Sequence, residues 1–113
     1  MQDQRRRLAA ERSAATRQLL ALEREFASIV EAAGQSNADD EHDPEGATIA
    51  FERQHVAALI SQARDRLAGI DTALARIDDG SYGRCERCGQ LIGADRLSAR
   101  PSATTCVGCA GRK

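Results

Sequence analysis

The stretch Tyr82-Gly-Arg-Cys85-Glu-Arg-Cys88-Gly-Gln-Leu-Ile92 decides how this chain is read, together with Cys106-Val-Gly-Cys109, which follows Cys88 after seventeen intervening residues. Two Cys-x-x-Cys pairs at that separation are a zinc-ribbon-type spacing, because each pair bends its backbone around one edge of a tetrahedral metal. The chain has four cysteines and all four lie in these pairs. The spacing predicts one structural zinc held by Cys85, Cys88, Cys106 and Cys109. Disulfides suit small secreted domains, but the opening Met1-Gln-Asp-Gln-Arg-Arg-Arg-Leu shows no apolar signal-peptide core. A thioredoxin-like redox pair needs a βαβ setting, and one such motif would suffice. Gly89 and Gly108 fit tight knuckles where the backbone needs positive φ. Zinc with four thiolates carries a formal charge of about −2. Arg84, Arg87 and Arg100 are candidate partners for it, or else a solvated basic surface.

Composition sets the scale of the rest. With 113 residues, three aromatics (Phe26, Phe51, Tyr82) and no Trp, the chain is one domain-sized unit without a large globular core. A metal then supplies folding energy, on the order of 10–16 kcal/mol in small zinc peptides. A net charge of −1 points by itself to neither a nucleic-acid binder nor a membrane protein. The longest aliphatic run, Val56-Ala-Ala-Leu-Ile60, is far short of the roughly 20 residues that span a bilayer. A soluble, cytoplasmic chain with reduced cysteines is expected.

Ahead of the cysteines the pattern is helical. Residues 3–33 contain neither Pro nor Gly and are rich in Ala, Leu, Glu and Arg, with Gly34 as a C-terminal stop. Residues 35–47 hold turn-formers and breakers. A second helix is predicted over 48–79, with Thr48 as N-cap and Gly80 as stop. Leu8, Arg12, Ala15, Leu19, Leu22, Phe26, Ile29 and Ala33 recur at 4-3 spacing in the first helix. Ile49, Arg53, Val56, Ile60, Ala63, Leu67, Ile70, Leu74 and Ile77 do so in the second. That is coiled-coil spacing. The fold class is therefore mainly α: an antiparallel two-helix coiled-coil hairpin (1–80), then a small C4 zinc-ribbon-like finger (81–113).

A register in which paired residue numbers sum to 82 sets Phe26 against Val56, Leu22 against Ile60 and Leu19 against Ala63, large often meeting small. It also places Arg12 against Ile70 and Arg53 against Ile29, their stems covering apolar surface while the guanidinium groups reach water. About 30 residues at 1.5 Å each make a rod on the order of 45 Å long.

The connection is acidic. Asp39, Asp40, Glu41, Asp43 and Glu45 are five of the seventeen acidic side chains, within seven positions. From Arg84 to Lys113 there are six Arg/Lys against Glu86 and Asp95. Composition alone reads the loop as ordinary solvated surface. The Asp-x-Asp-x-Asp-Gly order of a calcium loop is absent. His42 and His55 read as surface residues.

Tyr82-Gly-x-Cys85-x-x-Cys88-Gly89-x-x-Ile92, Arg96-Leu-Ser-Ala-Arg100-Pro101 and Cys106-x-x-Cys109 together resemble the C4-type zinc finger of the DksA/TraR transcription regulators. With the helical hairpin the resemblance covers roughly residues 5 to 110. It implies a rod that enters the secondary channel of bacterial RNA polymerase. There its acidic tip acts on initiation complexes without sequence-specific reading of DNA, and a structural finger seats the base. The family's tip motif Asp-x-Ala-Ser/Thr falls on Glu45, Ala47 and Thr48. The more distal acid falls on His42 by ungapped counting from Cys85, or on Asp43 if the loop shifts by one, and Asp43 is taken as the tip carboxylate. Arg100 matches a polymerase or alarmone contact. Other basic positions used for guanosine tetraphosphate appear here as Gln62, Gly69 and Ala110. The chain also ends at Lys113 without the family's usual C-terminal helix.

The implied function is a monomeric, zinc-containing regulator that binds RNA polymerase. The alternative is a nucleic-acid-binding zinc ribbon with a coiled-coil partner-binding arm, which the scarcity of stacking aromatics disfavours. A structural coiled-coil adaptor is a third reading. No nucleophile–base pair points to an enzyme, and a four-cysteine zinc leaves no open coordination position.

Overall fold

The computed structural model describes residues 2–35 and 44–111; the side chains of Gln35, Pro44 and Glu45 lie outside the described set. Two long helices dominate, α1 (Gln2–Gln35) and α2 (Pro44–Asp79), followed by two short ones, α3 (Ala94–Ala99) and α4 (Val107–Ala110). Among the described residues the only β pairing is an isolated antiparallel bridge between Arg84 and Leu91.

Both helices outrun the bounds expected from sequence. α2 begins at Pro44, so Thr48 lies inside it and is not its cap. Proline lacks only an N–H that the first turn leaves unpaired, and its fixed φ suits the first helical position. The residue read as a breaker is thus a starter. Gly34 does not stop α1 either; it stays inside the helix and is not among the positive-φ glycines. Gly80 does turn the chain, at φ 85. There the Ser81 and Tyr82 N–H groups donate to the Arg76 carbonyl at 2.9 and 3.0 Å, satisfying an acceptor the helix end would otherwise orphan.

The chain packs as two units, 1–14 with 67–113, and 15–66. The first of these holds the first turns of α1 and the last of α2 together with the four cysteines.

In the unit 15–66, Leu22, Val56, Ile60 and Ala63 form a buried cluster against which Leu19, Phe26, Ile29 and Leu59 pack. Both members of each expected pair Leu22/Ile60, Phe26/Val56 and Leu19/Ala63 are among these residues. Each large aliphatic side chain removed from water contributes roughly 1.5–3 kcal/mol, so this seam stabilises the unit. The ion pair of Arg64 and Glu23, at 3.3 Å and largely exposed, contributes far less.

In the unit of 1–14 and 67–113, Leu8, Ile70, Ala73, Tyr82, Cys85 and Ile92 are buried. Arg5 meets Asp78 at 2.8 Å and Arg12 meets Asp71 at 2.6 Å, so here too α1 and α2 run antiparallel. Arg12 thus leaves the seam sideways for a carboxylate, while Ile70 is fully buried. Arg53, the other interruption, is exposed.

Candidate metal centre

The four Sγ atoms of Cys85, Cys88, Cys106 and Cys109 all lie within 4.8 Å of one another. Cys88 Sγ and Cys106 Sγ are 3.7 Å apart. With Zn–S bonds of about 2.3 Å, the edge of a tetrahedral site is about 3.8 Å, so the donor set fits one zinc ion. Zinc there would tie the two knuckles together, and four thiolates would leave it no vacant position.

Backbone hydrogen bonds shape each knuckle. In the first, Cys85 N–H donates to the Gln90 carbonyl at 2.8 Å and Gly89 N–H to the Cys85 carbonyl at 2.9 Å. Gly89 sits at φ 76, where a side chain would be strained. In the second, Cys109 and Ala110 N–H groups donate to the Cys106 carbonyl at 3.1 and 2.9 Å. Gly108 lies in α4 without positive φ, contrary to expectation: a helical turn, rather than a left-handed residue, closes this knuckle.

Other contacts join the knuckles without passing through sulfur. Glu86 N–H donates to the Thr104 carbonyl at 2.9 Å, and Thr104 Oγ1 to Glu86 Oε1 at 3.3 Å. Arg96 Nε donates to the Thr105 carbonyl at 2.8 Å, and buried Tyr82 donates its hydroxyl to the Pro101 carbonyl at 2.7 Å. The first knuckle is fastened to α2 by Arg76, which donates to Ser81 Oγ at 3.4 Å, to the Ser81 carbonyl at 3.1 Å and to the Arg84 carbonyl. Arg7 of α1 reaches the Ser98 carbonyl at 2.6 Å. Of the arginines expected to face the thiolates, Arg84 donates to the Gly89 carbonyl and Arg87 to the Cys109 carbonyl, each at 3.4 Å, while Arg100 is exposed. Sequence reasoning misses Arg76 and Arg96. Arg96 opens the Arg-Leu-Ser-Ala-Arg-Pro block, which is a signal that could find it, but nothing local marks Arg76.

Electrostatics separate Cys85 from Cys88 and Cys109. The Cys106 N–H, helped by those of Cys88 and Arg87, pulls the Cys85 thiol down to about 6 against the cost of burial. The neighbouring thiols, Cys106 first and then Cys85, together with burial push Cys109 up to about 12. Cys88 is raised, the Cys85 thiol and burial outweighing the Gln90 N–H that pulls it down. The Cys85 thiolate is therefore prepared by the backbone, and a cation at the site would favour the thiolates of Cys88 and Cys109.

The acidic connection is less fully described. Asp43 and His42 lie outside the described residues, as does the side chain of Glu45. Ala47 and Thr48 are exposed in the first turns of α2. Gly69 is helical, with nothing within 4 Å of an added Cβ, and no contact explains it. No described helix is long and apolar enough to cross a membrane.

Residues 80–113 match the prokaryotic dksA/traR C4-type zinc finger. The chain is 52% identical over 54 residues to the RNA polymerase-binding transcription factor DksA of Caulobacter vibrioides, covering 44% of this chain and 38% of that protein. With the protein of the same name from Escherichia coli K12 it shares 37% identity over 62 residues, 53% of this chain and 41% of that one. The match thus spans less than half the length of either relative. The structure of transcription factor DksA2 from Pseudomonas aeruginosa superposes with a TM-score of 0.80 at 26% identity, covering 96% of this chain and 78% of that one.

Proposed function

We propose that this chain is an RNA polymerase-binding transcription regulator of the DksA/TraR type, in which a zinc finger steadies the helices and the acidic connection acts on the enzyme. The observation that carries the reading is the joint resemblance: the finger signature over 80–113 and a helical framework like that of DksA2 across 96% of the chain. On this reading Asp43 and Glu45 supply carboxylates to the polymerase channel, and Ala47 and Thr48 form the adjoining contact. Arg100, exposed on the finger, is available to meet polymerase or an anionic effector. The chain acts as a cytoplasmic monomer, reads no DNA sequence and catalyses no reaction. Its relatives are named as transcription factors, and a four-thiolate zinc has no open site for chemistry.

Purified zinc-loaded protein is expected to bind RNA polymerase core and to change the lifetime of promoter complexes. Asp43→Asn combined with Glu45→Gln should abolish the change while leaving binding largely intact. A double variant that acts like the parent removes the carboxylate mechanism. Binding of duplex DNA with steep salt dependence would favour the zinc-ribbon alternative instead.

A further inference from the structure

The segment from Pro101 to Cys106 belongs to no helix, yet it has to deliver Cys106 to the other three thiols. Donors outside the segment hold three of its carbonyls. The Tyr82 hydroxyl takes that of Pro101, the Glu86 N–H that of Thr104, and Arg96 Nε that of Thr105 at 2.8 Å. Only the last of these carbonyls lies on a peptide unit that carries a sulfur ligand. Cys106 itself, at φ −74 and ψ 168, precedes α4 in an extended conformation that the helix does not impose. Its direction therefore depends on what holds the peptide before it.

The Thr105 carbonyl and the Cys106 N–H share one plane, because the bond between them does not rotate freely, and they leave it in opposite directions. Beyond the nitrogen edge of that plane the Cys106 N–H donates to the sulfur of Cys85. Arg96 thus reaches a ligand atom through two hydrogen bonds and one rigid unit. Holding the oxygen aims the N–H, and a charged donor on the oxygen strengthens the N–H at the far end. Arg96 is itself well placed for this: it is half-buried in α3, and its own carbonyl accepts from the Arg100 N–H at 2.7 Å. Arg76 does something similar for the first pair, donating to the Arg84 carbonyl on the peptide that carries Cys85. There, however, the Cys85 N–H ends on the Gln90 carbonyl and not on sulfur. We propose that Arg96 is a positioning residue of the metal centre: acting through the Thr105–Cys106 peptide, its Nε hydrogen bond orients Cys106 and holds an N–H against the Cys85 sulfur, and so governs how tightly zinc is kept. This inference rests on zinc at the four thiols and is independent of the polymerase reading, because its test measures metal binding alone.

The test compares the full-length parent with Arg96→Met, Arg96→Gln and Arg6→Gln, measuring Zn2+ affinity by competition with a chromophoric chelator. The amide nitrogen of glutamine stands as many bonds from the backbone as arginine Nε, so Arg96→Gln keeps a donor there without the charge. Arg96→Met keeps the chain length without the donor. Arg6, exposed on α1, controls for net charge. Arg96→Met should weaken zinc binding about tenfold or more, as loss of a partner behind the metal ligands does. Arg96→Gln should stay within about threefold of the parent, and Arg6→Gln should match it. With Co2+ in place of zinc, the visible bands of the tetrathiolate site should shift in Arg96→Met and return to the parent's positions in Arg96→Gln. The proposal is overturned if Arg96→Met keeps the parent's affinity and cobalt spectrum, or if Arg6→Gln weakens binding as much as Arg96→Met. It is equally overturned if Arg96→Gln is as weak as Arg96→Met, since the lost charge would then be the cause. Should Arg96→Met fail to fold, Arg96→Gln decides alone, a tenfold loss in it overturning the proposal. A parent that binds no zinc removes the metal reading and this inference together, and leaves the polymerase reading to its own experiment.

Discussion

The hydroxyl of Tyr82 donates to the carbonyl of Pro101 across 2.7 Å, joining the start of the first knuckle to the turn that leads into the second. Both residues are buried, so the carbonyl has no access to bulk water if the donor is removed. Tyr82→Phe keeps the ring and deletes only the hydroxyl. Leaving a buried acceptor unpaired costs about 1–3 kcal/mol. The variant is expected to lose stability in that range and to bind zinc more weakly, as checked by denaturant melts and competition with a metal indicator. Unchanged zinc affinity would show that the knuckles are aligned by the other contacts alone.

The seam should respond quite differently from the surface. Ile60 is buried in the cluster with Leu22, Val56 and Ala63, whereas Leu20 is half exposed. Ile60→Ala removes buried atoms and leaves a cavity, which costs roughly 2–5 kcal/mol. Leu20→Ala should shift stability by no more than about 0.5 kcal/mol. Thermal melts followed at a helical wavelength decide it, and similar losses for both would contradict the register.

That contrast also shows what is legible in the sequence. The 4-3 spacing by itself picks out Leu8, Ala15, Leu22, Val56, Ile60 and Ile70, all of them buried, because a helix presents one face to its neighbour and periodicity records that face. Buried Ala73 escapes it, being off the seam, and small residues mark no pattern. The start of α2 is not legible, because Pro44 breaks a helix anywhere but its first turn, and sequence does not say which turn it is in. The clustering of the four cysteines is readable from their spacing. The Arg76 and Arg96 hydrogen bonds are not, since each depends on carbonyl groups that only folding brings within reach.

The end of α2 should carry a pH signature. Asp79 accepts hydrogen bonds from the Ser81 hydroxyl at 2.6 Å and the Ser81 N–H at 2.8 Å, and these hold its carboxyl below its ordinary 3.8. A carboxylate depressed on folding adds stability above its unfolded value, and that stability is lost as pH falls through the folded one. The loss is therefore expected only below about 3.8. Asp79→Asn should flatten this part of the acid melting profile and lower the curve near pH 7 by the same small amount, the site being exposed to water. An acid limb identical in both proteins would mean that the cap forms without the charge.

Removing the metal should affect one end of the chain far more than the other. All four thiols lie in the unit formed by 1–14 and 67–113, and the Leu22 cluster of the other unit contains none of them. Tyr82 is the sole tyrosine and there is no tryptophan, so intrinsic fluorescence reports on the finger alone. Elemental analysis should find one zinc per chain. Chelation, or Cys106→Ser, should change Tyr82 emission and lower the cooperativity of its unfolding, because the raised thiols of Cys88 and Cys109 no longer have a cation to meet. Most of the helical circular dichroism should persist, carried by seams whose burial is independent of sulfur. Collapse of the whole helical signal on chelation would instead show that zinc organises α1 and α2 along their full length.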